Sequence, residues 1–342
     1  MCNHDEIFGD DLYEHHSFEV EKNHALIRID KFLLLRLPNT SRTKIQKSIS
    51  SGYVFCNDIK VKSNYKVKPL DKISIRFEYE PHNKEIIPEN IPLDIIFEDK
   101  NLIIVNKPSN MVVHPSYGHY TGTLVHALLY KYQDIQSSSD NQRPGLVHRL
   151  DKNTTGLMVV ARNETTLTHL SSQFSNRTIK RTYLALVWGD VKDDKGTIIG
   201  NVGRNKKNRK LMTVFPDNEE GKHAVTHYEV LERFRYVTLI SCQLETGRTH
   251  QIRVHCKYMG HPLFNDNEYG GDKILRGTTF SKYKQFVQNC FKILPRQALH
   301  AISLTLIHPK TNEVISFRSE LPEDMMSVLN RWRNYIENKT NY

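Results

Sequence analysis

The chain has 342 residues, with 48 Lys or Arg against 38 Asp or Glu and a formal net charge of +10. No apolar run approaches the roughly 20 residues of a membrane-spanning helix, so neither a membrane helix nor a membrane partner is expected. The excess of bases points to a polyanion, of which nucleic acid is the commonest, and five scattered cysteines without a C-x-x-C pair support neither a disulfide framework nor a zinc site.

Residues 1–24 are acidic and His-rich with little periodicity, and are expected to form a tail. The opening Met1-Cys2-Asn3-His4-Asp5-Glu6 has neither a basic nor an apolar leader region, so no secretory signal is expected and a reducing cytoplasm is the default setting. Helical spacing begins with Ile29, Phe32, Leu33 and Leu37, and Pro38 stops it. Asn39-Thr40-Ser41 offers capping oxygens to a second short helix with Ile45 and Ile49 on one face, and Gly52 suits the position after its end. Strands are expected at Tyr53-Val54-Phe55, at Ile59-Lys60-Val61 after a Cys56-Asn57-Asp58 turn, and near Lys72-Ile73-Ser74-Ile75-Arg76. The polar positions of this unit, residues 25–80, are dominated by bases, among them Arg28, Lys31, Arg42 and Lys47. Such density suits phosphate contacts; a solvated basic face is the plain alternative. The pattern of Arg28-Ile29-Asp30-Lys31-Phe32-Leu33, Ser41-Arg42, Gln46-Lys47, Gly52-x-Val54 and Val67-Lys68-x-x-Asp71 resembles the S4 RNA-binding module. That family usually has Asn-Gly where this chain has Asn57-Asp58, and Asp is tolerated in such a turn.

Residues 81–92, with Pro81, Pro88 and Pro92, read as a linker, and a second domain is expected over 93–342. Its first strands are Leu93–Phe97 and Leu102–Val105, followed by a helix from Thr123 to Tyr130 and a polar, Ser-rich loop from Gln136 to Arg143. Leu146-Val147 then leads into His148-Arg149-Leu150-Asp151-Lys152-Asn153-Thr154-Thr155-Gly156, which reads as strand, turn and strand. In an extended segment Arg149 and Asp151 point to the same side. They form either a candidate reactive centre or an ion pair at a hairpin end. Asn163 can cap a helix, and Lys180–Gly189 is a strand containing Tyr183. A loop carrying Arg204, Lys206, Lys207, Arg209 and Lys210 is either a phosphate-contacting patch or a solvated loop. Strands follow at Val225–Leu231 and Tyr236–Leu244. A helix is expected to start at Thr249, so that its amides, Arg248 and Arg253 make an anion-friendly corner. Strands near Leu299–Ile307 and Val314–Phe317 precede a C-terminal helix whose stripe of Met325, Leu329, Trp332 and Ile336 reads as core. The fold class expected is α+β, with a mixed, largely antiparallel sheet.

The chemistry available is narrow. There is one motif-embedded carboxylate and no partner for a glycosidase pair, no H-E-x-x-H, no G-x-S-x-G and no P-loop. His250 and His255 are five apart, which does not put both on one helix face for a metal. No metal and no cofactor are expected; the reaction should run on a lone aspartate.

Several segments together resemble the RluA-type pseudouridine synthases. They are Val105-Asn106-Lys107-Pro108 through His114-Pro115, the His148–Gly156 motif, Arg181-Thr182-Tyr183-Leu184-Ala185, Thr246-Gly247-Arg248-Thr249-His250-Gln251-Ile252-Arg253-Val254-His255 with Gly260-His261-Pro262, and Leu299-His300-Ala301 with His308-Pro309. With an S4-like module in front, the arrangement is most similar to the RluD-type branch that modifies large-subunit ribosomal RNA. The resemblance implies a monomeric, cytoplasmic enzyme that isomerises uridine to pseudouridine in 23S rRNA; tRNA as substrate, or a non-catalytic assembly factor, are the alternatives. It implies that Asp151 is the catalytic carboxylate, as nucleophile or as base toward the ribose, and that Arg253 is its partner, a guanidinium favouring a charged carboxylate. Tyr183 would stack on the uracil and assist at C5. Arg149 would fill the gap left by the flipped base, and Arg248 would contact phosphate. Leu263-Phe264-Asn265-Asp266 departs from the family, which commonly has Gly-Asp after an aliphatic residue, and this loop is read as architectural.

Overall fold

The chain divides into two units, Met1–Glu85 and Ile86–Tyr342. The computed structural model describes residues 12–37, 40–77, 86–116, 118–135, 143–216 and 220–340, without the side chains of 339 and 340. The expectations placed on Pro38, Asn39, residues 81–85 and the 136–142 loop lie outside the described residues.

The first unit runs β1 (Tyr13–Glu19), α1 (Ile29–Arg36), α2 (Arg42–Ser50), β2 (Val54–Cys56), β3 (Ile59–Lys60) and β4 (Lys72–Phe77), with sheet order β1-β4-β2-β3. One face of each helix packs Ile29, Phe32, Leu33, Ile45 and Ile49 against Val54 and Ile73. Ser41 caps α2 by accepting the Lys44 N–H at 3.3 Å. Asn57 and Asp58 both have positive φ, 49° and 64°, as a two-residue type I′ hairpin turn requires. The expected tail over 1–24 lies outside the described residues up to residue 11; beyond that it is corrected by β1, which pairs antiparallel with β4 from Tyr13↔Phe77 to Glu19↔Lys72. It is an edge strand with few buried side chains, so it has no apolar alternation to betray it; the ladder to β4 makes it a strand.

The second unit contains β5 (Asp94–Glu98), β6 (Leu102–Lys107), α3 (Leu124–Lys131), β7 (Thr155–Ala161), α4 (Glu164–Ser175), β8 (Lys180–Trp188), β9 (Lys195–Arg204), β10 (Met212–Phe215), β11 (Lys222–Arg233) and β12 (Val237–Leu244). It continues with α5 (Gln251–Tyr258), α6 (Ser281–Ile293), β13 (Leu299–Ile307), β14 (Val314–Arg318) and α7 (Glu323–Thr340). The sheet runs β10-β9-β11-β12-β8-β13-β7-β6-β5, with β14 also on β13, and only the β13–β7 pairing is parallel. This is the expected α+β class with a largely antiparallel sheet. Strand β8 lies at its centre and is buried on both faces. Tyr183, Ala185 and Val187 join the core beneath α3 and α5. The alternate residues Leu184, Leu186 and Trp188 join the core of α6 and α7, where Met325, Leu329 and Trp332 are buried as expected.

Three local expectations shift. Leu146 makes a single bridge to Val160 instead of a strand, and Thr155 and Gly156 already belong to β7. Gly156 is required there, because a side chain would run into the Ala301 carbonyl of β13. The expected loop at 204–210 is the tip of a β9–β10 hairpin. Helix α5 starts at Gln251 and not at Thr249, because His250 has φ 55°, a left-handed conformation that cannot continue a helix.

Candidate active site

The reactive-looking carboxylate sits on a clamped turn. The Thr154 N–H donates to the Asp151 carbonyl at 3.0 Å. Lys107, fully buried at the end of β6, donates its Nζ to the carbonyls of Lys152 at 3.0 Å, Pro108 at 2.7 Å and Met111 at 2.9 Å. Burial pulls that amine down to about 7, partly opposed by the charge of Asp151. Arg296 donates to the Asn153 carbonyl at 3.3 Å, and Gln297 donates to the Thr154 hydroxyl at 3.2 Å. Lysine and arginine from outside the turn thus fix its backbone, and glutamine fixes the Thr154 side chain.

Arg253 on α5 reaches the same turn. Its Nη1 donates to Asp151 Oδ2 at 3.1 Å, its Nε and Nη2 donate to the two oxygens of Asp266 at 2.8 Å each, and Nη2 also donates to Glu268 at 2.5 Å. Burial alone would weaken the guanidinium charge. The hydrogen bonds and charge of Asp266, with the charges of Asp151 and Glu268, more than reverse this and push its pKa up. Asp266 is fully buried. The Leu263–Asp266 loop, expected to be architectural, therefore supplies the carboxylate that orients Arg253. Asn265 has φ 56°, which explains why glycine is usual at that position and why Asn can replace it.

Asp151 retains one free oxygen. Its side chain is 16% exposed, and Oδ1 lies 3.8 Å from His250 Nε2, beyond hydrogen-bond range. His250 is steered by a 2.8 Å hydrogen bond between its Nδ1 and the Tyr269 hydroxyl, and burial lowers its pKa. Oδ1 faces a cleft of about 460 Å³ that is also lined by Tyr183, Arg149, Arg181, Arg248 and His250. Tyr183 is 5% exposed, and burial raises its phenol, so it stays protonated. Arg149 is exposed and makes no ion pair among the described residues; the hairpin-end pair with Asp151 is not formed. Arg248 donates its Nε to the His223 carbonyl at 3.2 Å. His148 accepts the Val159 N–H at 3.0 Å and stacks on Phe174, a structural placement.

In the first unit, Arg28 and Arg42 are both bound to the buried Asp30, at 3.1 and 2.9 Å. Burial would favour the protonated acid, but hydrogen bonds from Arg28, Gln46 and Arg42 hold Asp30 well below the usual carboxylate range. Lys31 and Lys47 are exposed. Asp266, Glu268, His250 and Lys107 had no site role in the sequence reading. Asp30, Lys107 and Asp266 were each legible only as members of a motif, because nothing in a sequence announces that a charged residue will be buried.

The family described as RNA pseudouridylate synthase matches residues 101–258, and the S4 domain matches residues 27–73. An uncharacterized RNA pseudouridine synthase of Chlorobaculum parvum is 44% identical over 323 residues, covering 94% of this chain and 98% of that protein. The chain belongs to the RNA pseudouridine synthase family. Ribosomal large subunit pseudouridine synthase D of Haemophilus influenzae is 39% identical, covering 94% of this chain and 97% of that protein. Among solved structures, human RNA Pseudouridylate Synthase Domain Containing 4 superposes with a TM-score of 0.55 at 25% identity, covering 70% of this chain and 93% of that one. This synthase is thus an RNA-modifying enzyme with an S4 domain ahead of its catalytic fold. No helix among the described residues is long and apolar enough to cross a membrane.

Proposed function

We propose that this synthase isomerises uridine in 23S ribosomal RNA, in the cytoplasm, with Asp151 as the catalytic carboxylate. The observation that carries the reading is the asymmetry of Asp151. Oδ2 is held by a buried guanidinium, while Oδ1 makes no hydrogen bond among the described residues and Asp151 lines a cleft of about 460 Å³ together with Tyr183. The large-subunit substrate is supported by the name and the near full-length match of the Haemophilus influenzae relative.

The reaction breaks the N1–C1′ bond, turns the uracil and joins C5 to C1′; N1 gains a proton and C5 loses one. Oδ1 is free either to attack C1′ or to take a proton from the ribose, while Arg253 keeps the carboxylate oriented at no cost in reorganisation. Tyr183 supplies a stacking face. Its raised phenol makes it a donor in the resting enzyme and not a base, which narrows its assistance at C5 to a group that must first lose its proton. Arg149, unpaired at the cleft rim, is free to occupy the stack that the flipped base leaves. Arg28, Lys31, Arg42 and Lys47 contact RNA phosphates from the S4 unit, and Arg248 contacts phosphate through its Nη groups.

The test is incubation with 23S transcript followed by pseudouridine mapping. Wild type is expected to modify discrete uridines, and Asp151→Asn to lose at least about a thousandfold in kcat. Full activity in Asp151→Asn would end the assignment. Removing both Lys31 and Lys47 should flatten the salt dependence of binding by about one to two phosphate contacts.

A further inference from the structure

The cleft contains a guanidinium that has neither a hydrogen bond nor an ion pair among the described residues. Arg181 projects from β8 two residues before Tyr183, so both side chains leave the same face of the strand, about 7 Å apart along it. Its carbon Cζ stands 5.1 Å from the centre of the Phe174 ring. Its Nε is buried and has no hydrogen-bond partner, and among the described residues no carboxylate lies within ion-pair distance of it. Of the two acids in the cleft wall, Asp151 is held by Arg253, and Glu245 is engaged by Arg177 at 3.5 Å and His227 at 2.7 Å. Gly247 leaves room for the guanidinium: a side chain there would begin 3.0 Å from its Nη1. The other arginines facing the cleft differ, Arg177 being paired with Glu245. Arg253 is saturated by carboxylates, Arg248 is tied to a carbonyl, and Arg149 is at the rim.

A partly buried guanidinium without a counter-charge is costly unless a ligand completes it. The cleft supplies the geometry for that ligand. Asp151, where the ribose would stand, Tyr183, which the base would cover, and Arg181 line the same cleft. An anion attached to the same nucleotide meets Arg181. We propose that Arg181, seated on Phe174 and given space by Gly247, binds the phosphate of the nucleotide that enters the cleft. The proposal rests on the reading that an RNA nucleotide occupies this cleft. It assigns Arg181 to binding and not to the bond-breaking step.

The experiment measures binding of the full-length protein to 23S transcript over a range of salt concentrations, in the Asp151→Asn background so that no turnover intervenes. Arg181→Gln should lower the slope of log affinity against log salt by about 0.7–0.9, one phosphate contact. Arg181→Lys should keep the slope. In the active enzyme Arg181→Gln should raise KM about tenfold and leave kcat within about twofold, because a contact made equally in the ground and transition states affects binding alone. Gly247→Val, at an exposed loop position, should push the guanidinium away and reproduce the loss of slope even if Arg181→Gln folds poorly. An unchanged slope in both variants would overturn the proposal, as would failure of Arg181→Lys to restore it, since packing on Phe174 and not charge would then be at stake. Full activity in Asp151→Asn alone would remove the catalytic assignment, while the binding slopes would still decide this one.

Discussion

In each unit of this enzyme a buried ion gathers partners of opposite charge, and the two ions, Asp30 and Arg253, have opposite sign. In the S4 unit Asp30 has a fully buried side chain, ringed by Arg28, Arg42 and Gln46. In the catalytic unit Arg253 has a side chain 4% exposed, ringed by Asp151, Asp266 and Glu268. The outer members differ more than the centres do. Arg28 and Arg42 are 40% and 44% exposed and turn their remaining N–H groups to solvent. Asp151 is 16% exposed and turns one oxygen into a cleft. A buried ion is a poor source of stability, because desolvation offsets most of the attraction. It is a good way to fix the orientation of a partner that must stay reactive. One unit holds half-exposed cations around a buried anion; the other holds a partly exposed anion beside a buried cation.

The comparison is broken most severely at its centres. Arg253→Gln would leave Asp266 buried without a counter-charge, at a cost of about 3–5 kcal/mol, and would free Asp151 to rotate, with a loss of kcat of about a hundredfold or more. Urea unfolding followed by tryptophan fluorescence reads the first effect, since both tryptophans, Trp188 and Trp332, are buried in the catalytic unit. Asp30→Asn should be milder, about 1–2 kcal/mol. The two arginines released there are already half in water, and an amide keeps part of the hydrogen bonding. Equal losses at both centres would show that exposure of the outer partners is irrelevant.

How much of this could be read from the sequence depends on what kind of information each feature uses. Local signals were sound: Ser41 and Asn163 do cap their helices, and the central strand around Tyr183 is continuous and apolar. The ends of α5 and β7 were misplaced by one or two residues, because His250 breaks the helix through its own backbone angle and Gly156 is fixed by a strand far along the chain. Strand β1 has no apolar alternation and exists through its partner β4. The Asp151–Arg253 pair spans 102 positions and was accessible only through resemblance to a family. Asp266 was passed over for the same reason in reverse. Its loop departs from the family pattern at Asn265, and its role depends on a buried contact with Arg253 that no local signal marks.

The two units should also part company in acid. His255 and His300 are buried in the catalytic unit, and burial pulls both down to about 4. An unfolded histidine titrates near about 6.5. Below that value the unfolded chain binds protons that the folded unit refuses, so stability that is full above about pH 6.5 is lost as the pH falls toward 4. At pH 5 the two sites together should cost about 4 kcal/mol. Asp30 is also depressed, but its unfolded value is that of a carboxylate, about 3.9, so its contribution persists until the pH drops below that. Urea midpoints at pH 7 and pH 5 should therefore fall for tryptophan fluorescence and stay nearly constant for hydrogen-exchange protection of the α1 and α2 amides. A common shift in both would mean that the histidines do not set the acid limit.

The smallest effects concern the two positions where this chain lacks a family glycine. Asn265 and Asp58 both sit in left-handed backbone, with φ 56° and 64°. Glycine would relieve strain at either, by about 1 kcal/mol or less, and would add unfolded-state entropy that opposes the gain. What separates the two is the side chain. Asn265 donates from Nδ2 to the carbonyls of Phe291 at 3.1 Å and Leu294 at 2.6 Å, closing the end of α6 over the Asp266 loop. Asn265→Gly should therefore destabilise by about 1–2 kcal/mol and lower kcat slightly, because Asp266 loses its tether. Among the described residues Asp58 pairs with Arg76 at the surface, an interaction of about 0–1 kcal/mol. Asp58→Gly should change the midpoint of thermal unfolding by no more than a degree or two in either direction. If Asp58→Gly instead costs as much as Asn265→Gly, the Asp58–Arg76 pair is holding the hairpin, and the S4 turn depends on charge as much as the catalytic loop does.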